Sequence, residues 1–84
     1  MIDLTDKVSI VTGGASGIGR GICLALAGQG SVIVVADMNA EGAESVAAEV
    51  AELGRQSVAV AVDVTDRTSV STMITLVLER FAKI

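Results

Sequence analysis

Thr12-Gly13-Gly14-Ala15-Ser16-Gly17-Ile18-Gly19 is the stretch that decides how this chain of 84 residues folds. It follows a short apolar run, Lys7 to Thr12, and precedes a segment with helical spacing, so it reads as a strand-to-helix turn. Glycines at 13, 17 and 19 suit a loop that must admit a pair of phosphates. One makes the turn, one lets a ligand approach the main chain, and one packs helix against strand. A helix N-terminus supplies N–H donors and the positive end of the helix dipole, and a Cβ would stand in the way of the anion. The bland alternative is a tight connection that binds nothing.

Outward from the turn, two further runs, Ser31 to Ala36 and Ser57 to Val62, have strand length and β-branched content. Val32-Ile33-Val34-Val35 is near-continuous, as strands buried on both faces are. Val58-Ala59-Val60-Ala61-Val62 alternates large and small, which predicts one face packed more closely against its covering helix. Between and after the runs lie three segments of helical period. Ile18, Ile22, Ala25, Leu26 and Gln29 share a face of the first, which stops at Gly28 and Gly30. Ala43, Val46, Ala47, Val50 and Leu53 stripe the second, with Asn39 as N-cap and Gly54 as terminator. Val70, Met73, Ile74, Val77, Leu78 and Phe81 stripe the third, capped by Thr65 or Asp66, with Lys83 at its negative pole. The order β-α-β-α-β-α with short connections predicts parallel strands joined by right-handed crossovers.

Composition narrows the chemistry. There are 6 Lys+Arg against 10 Asp+Glu, a net charge of −4, 51% apolar residues, one Phe, and no Tyr, Trp, His or Pro. Without histidine there is no Ser-His-Asp or Cys-His arrangement and no imidazole metal site. The lone Cys23 cannot build a disulfide framework or a metal cluster and reads as a buried structural thiol. Acidity, the absence of a basic patch and a single aromatic ring argue against nucleic acid as a partner. No apolar run approaches the roughly 18 residues of a membrane span, and the first seven residues lack the order of a signal peptide. The expectation is a cytoplasmic protein of one domain at most.

The spacing Gly-x-x-x-Gly-x-Gly within Thr12 to Gly19 resembles the short-chain dehydrogenase/reductase family, as do Asp37 closing the second strand, Asp63-Val64-Thr65-Asp66 after the third, and the ending Glu79 to Ile84. The resemblance implies an α/β fold: half of a Rossmann fold, with three parallel strands in the order 3-2-1 and helices on both faces. It identifies residues 1–84 as an N-terminal dinucleotide-binding half-domain that ends before the fourth strand.

The cofactor-binding residues expected on this basis are Gly13, Ser16, Gly17, Ile18, Gly19, Asp37, Met38, Asp63 and Val64. Asp37 follows Gly19 by 18 residues, close to the roughly 20-residue offset of an acid that binds a ribose 2′-hydroxyl. A carboxylate there repels a 2′-phosphate, and Ser16 stands where NADP-preferring relatives often carry a base, so NAD is expected over NADP. Ser16 offers its hydroxyl or backbone to ribose or phosphate, or else only holds the turn. Ile18 would direct its N–H to phosphate and its side chain to the core. Met38 lies toward the adenine or is ordinary packing. Asp63 and the Val64 backbone face the adenine amino group, the alternative for Asp63 being the turn that opens the third helix. Glu41, Glu44, Glu49 and Glu52 read as a solvated face, and Arg20 as a surface residue.

The family's catalytic tyrosine, lysine, serine and asparagine cannot be assigned. The chain has no tyrosine, and its lysines are at 7 and 83. It is therefore expected to be catalytically inactive alone. In a sheet ordered 3-2-1-4-5-6 the first strand is central, so here Val8-Ser9-Ile10-Val11 would be a bare edge, and pairing of two copies through it would give a homodimer. The other readings are a non-catalytic dimerising scaffold with weak or no nucleotide binding, and a fold that holds S-adenosylmethionine, whose loops are spaced differently.

Overall fold

The computed structural model describes residues 4–81. Its elements run β1 (Val8–Thr12), α1 (Gly17–Gly28), β2 (Val32–Asp37), α2 (Ala40–Glu52), β3 (Ser57–Ala61) and α3 (Arg67–Phe81). The strands are parallel in the order β1-β2-β3, the expected 3-2-1 sheet. Val8 lies opposite Val32, and Ile33 opposite Ser57. All the strand C-termini thus lie at one end of the sheet, where open parallel sheets bind ligands.

β2 is the centre. Ile33, Val34, Val35 and Ala36 are completely buried because both faces of the sheet are covered. On one face Val11, Ile33 and Val35 pack with Cys23 and Ala27 of α1 and with Ala43, Val46, Ala47 and Val50 of α2. On the other, Val8, Val34, Ala36 and Val62 pack with Met73 and Val77 of α3. The large-small alternation of β3 maps onto these two layers. Ala59 lies toward α1 and α2, and Val58 and Val60 toward α3.

The helix ends follow local chemistry. Asn39 is the N-cap of α2, its side-chain oxygen accepting the Gly42 N–H at 3.0 Å. Asp66 Oδ1 accepts the Thr68 N–H at 2.9 Å at the start of α3. Gly30 (φ 97°) and Gly54 (φ 80°) follow the first two helices in the left-handed conformation that ends them. At the opposite end of the sheet Ser31 is fully buried. Its hydroxyl lies 2.7 Å from that of Ser9 and 3.1 Å from the Lys7 carbonyl.

Three expectations about faces need correction. In α1 the buried residues are Gly19, Cys23 and Ala27, while Ile18 is 82% and Ile22 45% exposed. Only Leu26 of the expected stripe packs against the core, so the Ile18 side chain does not enter it. The helix approaches the sheet through small residues, and this close approach turns its large aliphatics onto a flank. In α3, Met73 and Val77 are buried as expected, but Ile74 and Leu78 are exposed, as is Leu53 after α2. Glu49 is not merely solvated: its Oε2 lies 2.7 Å from Nε of Arg20, tying α2 to α1. Lys83 lies outside the described residues.

Candidate functional site

The loop after β1 is held open by its own main chain. The Gly14 N–H continues the sheet by donating to the Ala36 carbonyl at 3.2 Å, and Gly13 then turns with φ 68°. Ser16 caps α1. Its Oγ accepts the Gly19 N–H at 3.1 Å and donates to the Gly13 carbonyl at 2.8 Å, so the hydroxyl is spent on shaping the loop. Gly19 is required by contact, since a Cβ there would lie 2.0 Å from the Gly13 oxygen. Gly17 is different: a Cβ would meet nothing within 4 Å, so its open side faces space rather than protein.

With Ser16 as N-cap, Gly17 and Ile18 are the first two helical residues, whose N–H groups have no partner within a helix. No acceptor for either occurs among the described residues. Two donors at the positive end of the dipole are therefore available to an anion.

Asp37 ends β2 beside this loop. Its Oδ2 accepts the Ala15 N–H at 3.0 Å and its Oδ1 the Asn39 N–H at 2.9 Å. A carboxylate has about four acceptor positions, so both oxygens keep capacity for hydroxyl donors. Gly13, Ala36, Asp37, Met38, Val62 and Val64 line a cavity of about 220 Å³ between the ends of β2 and β3, apolar but for Asp37. Such a slot suits a flat, weakly polar ring with a polyol at its mouth. A second hollow, of about 290 Å³ between Asp6, Val8, Val32, Gln56, Arg80 and Phe81, includes the first residues of β1 and β2, the end of the sheet away from the loop.

The structure thus brings together Gly13, Ser16, Gly17, Ile18, Gly19, Asp37, Met38 and Val64. Asp63 stands apart from the lining. Its Oδ1 accepts both the Thr65 N–H at 2.9 Å and the Thr65 hydroxyl at 2.6 Å, the arrangement of a turn-forming aspartate. The Thr65 hydroxyl and then its N–H hold the Asp63 carboxyl below its ordinary pKa. Cys23 is fully buried, and desolvation raises its thiol pKa, as suits an inert packing residue.

Gly14, Ala15 and Gly42 are the members that sequence reasoning missed. A Cβ on Gly14 would come within 2.8 Å of Val35 and 3.4 Å of Cys23 Sγ. One on Gly42 would come within 2.9 Å of the Ala15 Cβ. The doubled glycine at 13 and 14 was the available signal for the first. Nothing local marks the other two.

Residues 7–84 match the sequence profile of the family described as short chain dehydrogenase. Over 42 residues, half of this chain and 16% of the relative, the sequence is 55% identical to D-threitol dehydrogenase of Mycolicibacterium smegmatis. Among solved structures, NAD+-bound xylitol dehydrogenase superposes with a TM-score of 0.93 at 36% identity, covering 96% of this chain and 31% of that one. A 7α-hydroxysteroid dehydrogenase complexed with NADH and 7-oxo glycochenodeoxycholic acid gives 0.93 at 33% identity, covering 98% and 32%. The chain therefore spans about a third of the length of these structures.

Proposed function

The chain belongs to the short chain dehydrogenase family, and on that premise we propose that residues 1–84 are the NAD-binding half-domain of an oxidoreductase acting on a carbonyl/alcohol pair. One observation carries the reading. The Gly17 and Ile18 N–H groups and the Asp37 carboxylate belong to one framework, joined through Ala15, at the C-terminal end of the strands. Its residues fit the cofactor: two unpartnered amides for the diphosphate, a carboxylate for the ribose diol, and the slot between Met38 and Val64 for the adenine. Asp63 would hold the turn that sets Val64 and reach the adenine amino group from there.

Bound NAD would supply or accept the hydride. This chain's own residues bind and orient it, and Asp37 disfavours the additional phosphate of NADP. With no tyrosine, and with lysines only at 7 and 83, the tyrosine and lysine that move the substrate's proton in the family cannot be assigned, and we propose that alone the chain turns nothing over. We keep the cytoplasmic setting expected from composition. Among the described residues no helix is long and apolar enough to cross a membrane.

The reading includes self-association. Among the described residues β1 has a strand neighbour on one side only, and the Val32 N–H donates to the Lys7 carbonyl, so the main chain of Val8, Ile10 and Thr12 is directed at the open edge. Pairing with β1 of a second copy would cover it. Sedimentation at tens of micromolar should show a dimer, and a well-folded monomer there sinks this part.

Titration with NAD, NADP, AMP and S-adenosylmethionine tests the rest. NAD and AMP should bind, NADP more weakly, and Asp37→Ala should abolish the preference. Silence for all four ligands leaves the non-catalytic scaffold as the better account.

A further inference from the structure

Four contacts around Ala15 close into a ring. The Ala15 N–H donates to Asp37 Oδ2 at 3.0 Å, and Asp37 Oδ1 accepts the Asn39 N–H at 2.9 Å. Asn39 Oδ1 in turn accepts the Gly42 N–H at 3.0 Å. Gly42 then returns to the start, because a Cβ on it would lie 2.9 Å from the Ala15 Cβ and 2.6 Å from Asn39 Nδ2. The glycine-rich loop is thereby held from one side by a carboxylate and from the other by the bare first turn of α2.

We infer that Asp37 and Gly42 are positioning residues for the glycine-rich loop, so that its hold on a diphosphate depends on both of them even when the ligand carries no sugar diol. The inference rests on the nucleotide reading and goes beyond it, since contact with ribose gives Asp37 no influence over a ligand without hydroxyls and gives Gly42 no influence at all. The ring spends one acceptor position on each Asp37 oxygen and leaves the others for a sugar, so the two duties coexist. The Ala15 N–H, turned toward the carboxylate, is not one of the donors offered to phosphate. Its part is to fix the loop from which Gly17 and Ile18 present theirs.

The test compares ADP with 2′,3′-dideoxyadenosine diphosphate on the full chain, by calorimetry or amide NMR. Asp37→Ala should weaken the dideoxy ligand roughly tenfold, the worth of one hydrogen bond to a charged acceptor. Asp37→Asn keeps an oxygen that can accept the Ala15 N–H and should restore most of that loss. Gly42→Ala should weaken both ligands by the same factor, although helix propensity alone favours the alanine. It also leaves every loop side chain in place, so it carries the test should Asp37→Ala fail to fold. Hydrogen exchange at the Ala15 amide should quicken in Asp37→Ala and return toward the parent rate in Asp37→Asn. Dideoxy affinity unmoved by either Asp37→Ala or Gly42→Ala overturns the inference and leaves the nucleotide reading standing. Absence of ADP binding to the unaltered chain overturns both.

Discussion

α1 and α2 cover the same face of the same sheet, yet they do so in opposite ways. α2 meets the strands through Val46 and Val50 with alanines between them, and little of its aliphatic surface is left over. α1 meets them through Gly19, Cys23 and Ala27 and carries Ile18 and Ile22 in the open. The Arg20–Glu49 pair shows which side of α1 faces α2. At about 100° per residue, Ile18, Ile22 and Ala25 fall on the side of α1 away from Arg20. α2 is placed by apolar volume, and α1 is placed by the absence of volume, because its first turn must lie close against a loop that presents amide groups. The difference teaches that an aliphatic row on a helix beside a ligand loop marks a surface awaiting a neighbour as readily as it marks the core.

The strongest way to break this contrast is Gly19→Val. If α1 depends on small residues, the added atoms drive the helix off the Gly13 carbonyl, at a cost of about 3 kcal/mol in denaturant unfolding, and nucleotide binding disappears. A loss below about 1 kcal/mol would mean that the loop yields easily and that contact does not govern the approach. Next in size is a paired measurement. Val50→Ala opens a cavity beneath α2 and should cost about 2 kcal/mol, while Ile22→Ala in α1 should cost less than about 0.5 kcal/mol in a monomer. Equal losses at the two positions would erase the distinction. The smallest effect lies outside both helices and serves as a control. Thr65 lowers the Asp63 pKa from its ordinary 3.8, so the folded state gains stability from this turn above that pH. The gain is lost as pH falls through the folded-state value. Replacing Thr65 with Val should lower the neutral-pH thermal midpoint slightly, leave the midpoint below the folded-state value almost unchanged, and so flatten that part of the acid limb.

Most of the fold was legible because its signals are local. β-branched runs, the Asn39 cap and the glycines at 30 and 54 state their roles within a few residues, and the buried stripe of α2 follows from spacing alone. The face of α1 was not legible, since hydrophobicity selects the large residues and says nothing about how near a helix must come to its sheet. The site divides in the same manner. The turn, its glycines and Asp37 stand in readable order, and Met38 and Val64 do line one cavity with them. At two positions the contacts match the turn alternative of the sequence reading: the Ser16 hydroxyl is consumed within the loop, and the Asp63 carboxylate holds Thr65. Ala15 and Gly42 carried no signal, because they are 27 positions apart and their meaning is one contact between them.

The hydroxyls of Ser9 and Ser31 do work that the aliphatic strands cannot. Valine opposite valine is nearly the same contact if one parallel strand slides past its neighbour by two positions, so the sheet's apolar chemistry alone leaves several alignments close in energy. The fully buried Ser31 hydroxyl and the half-buried Ser9 hydroxyl lie 2.7 Å apart, and Ser31 also reaches the Lys7 carbonyl at 3.1 Å, so a slip of β1 past β2 would give up both of these cross-strand contacts. Two small polar atoms thus act as a locating pin for the sheet, removing the alternatives before the loop above it takes shape.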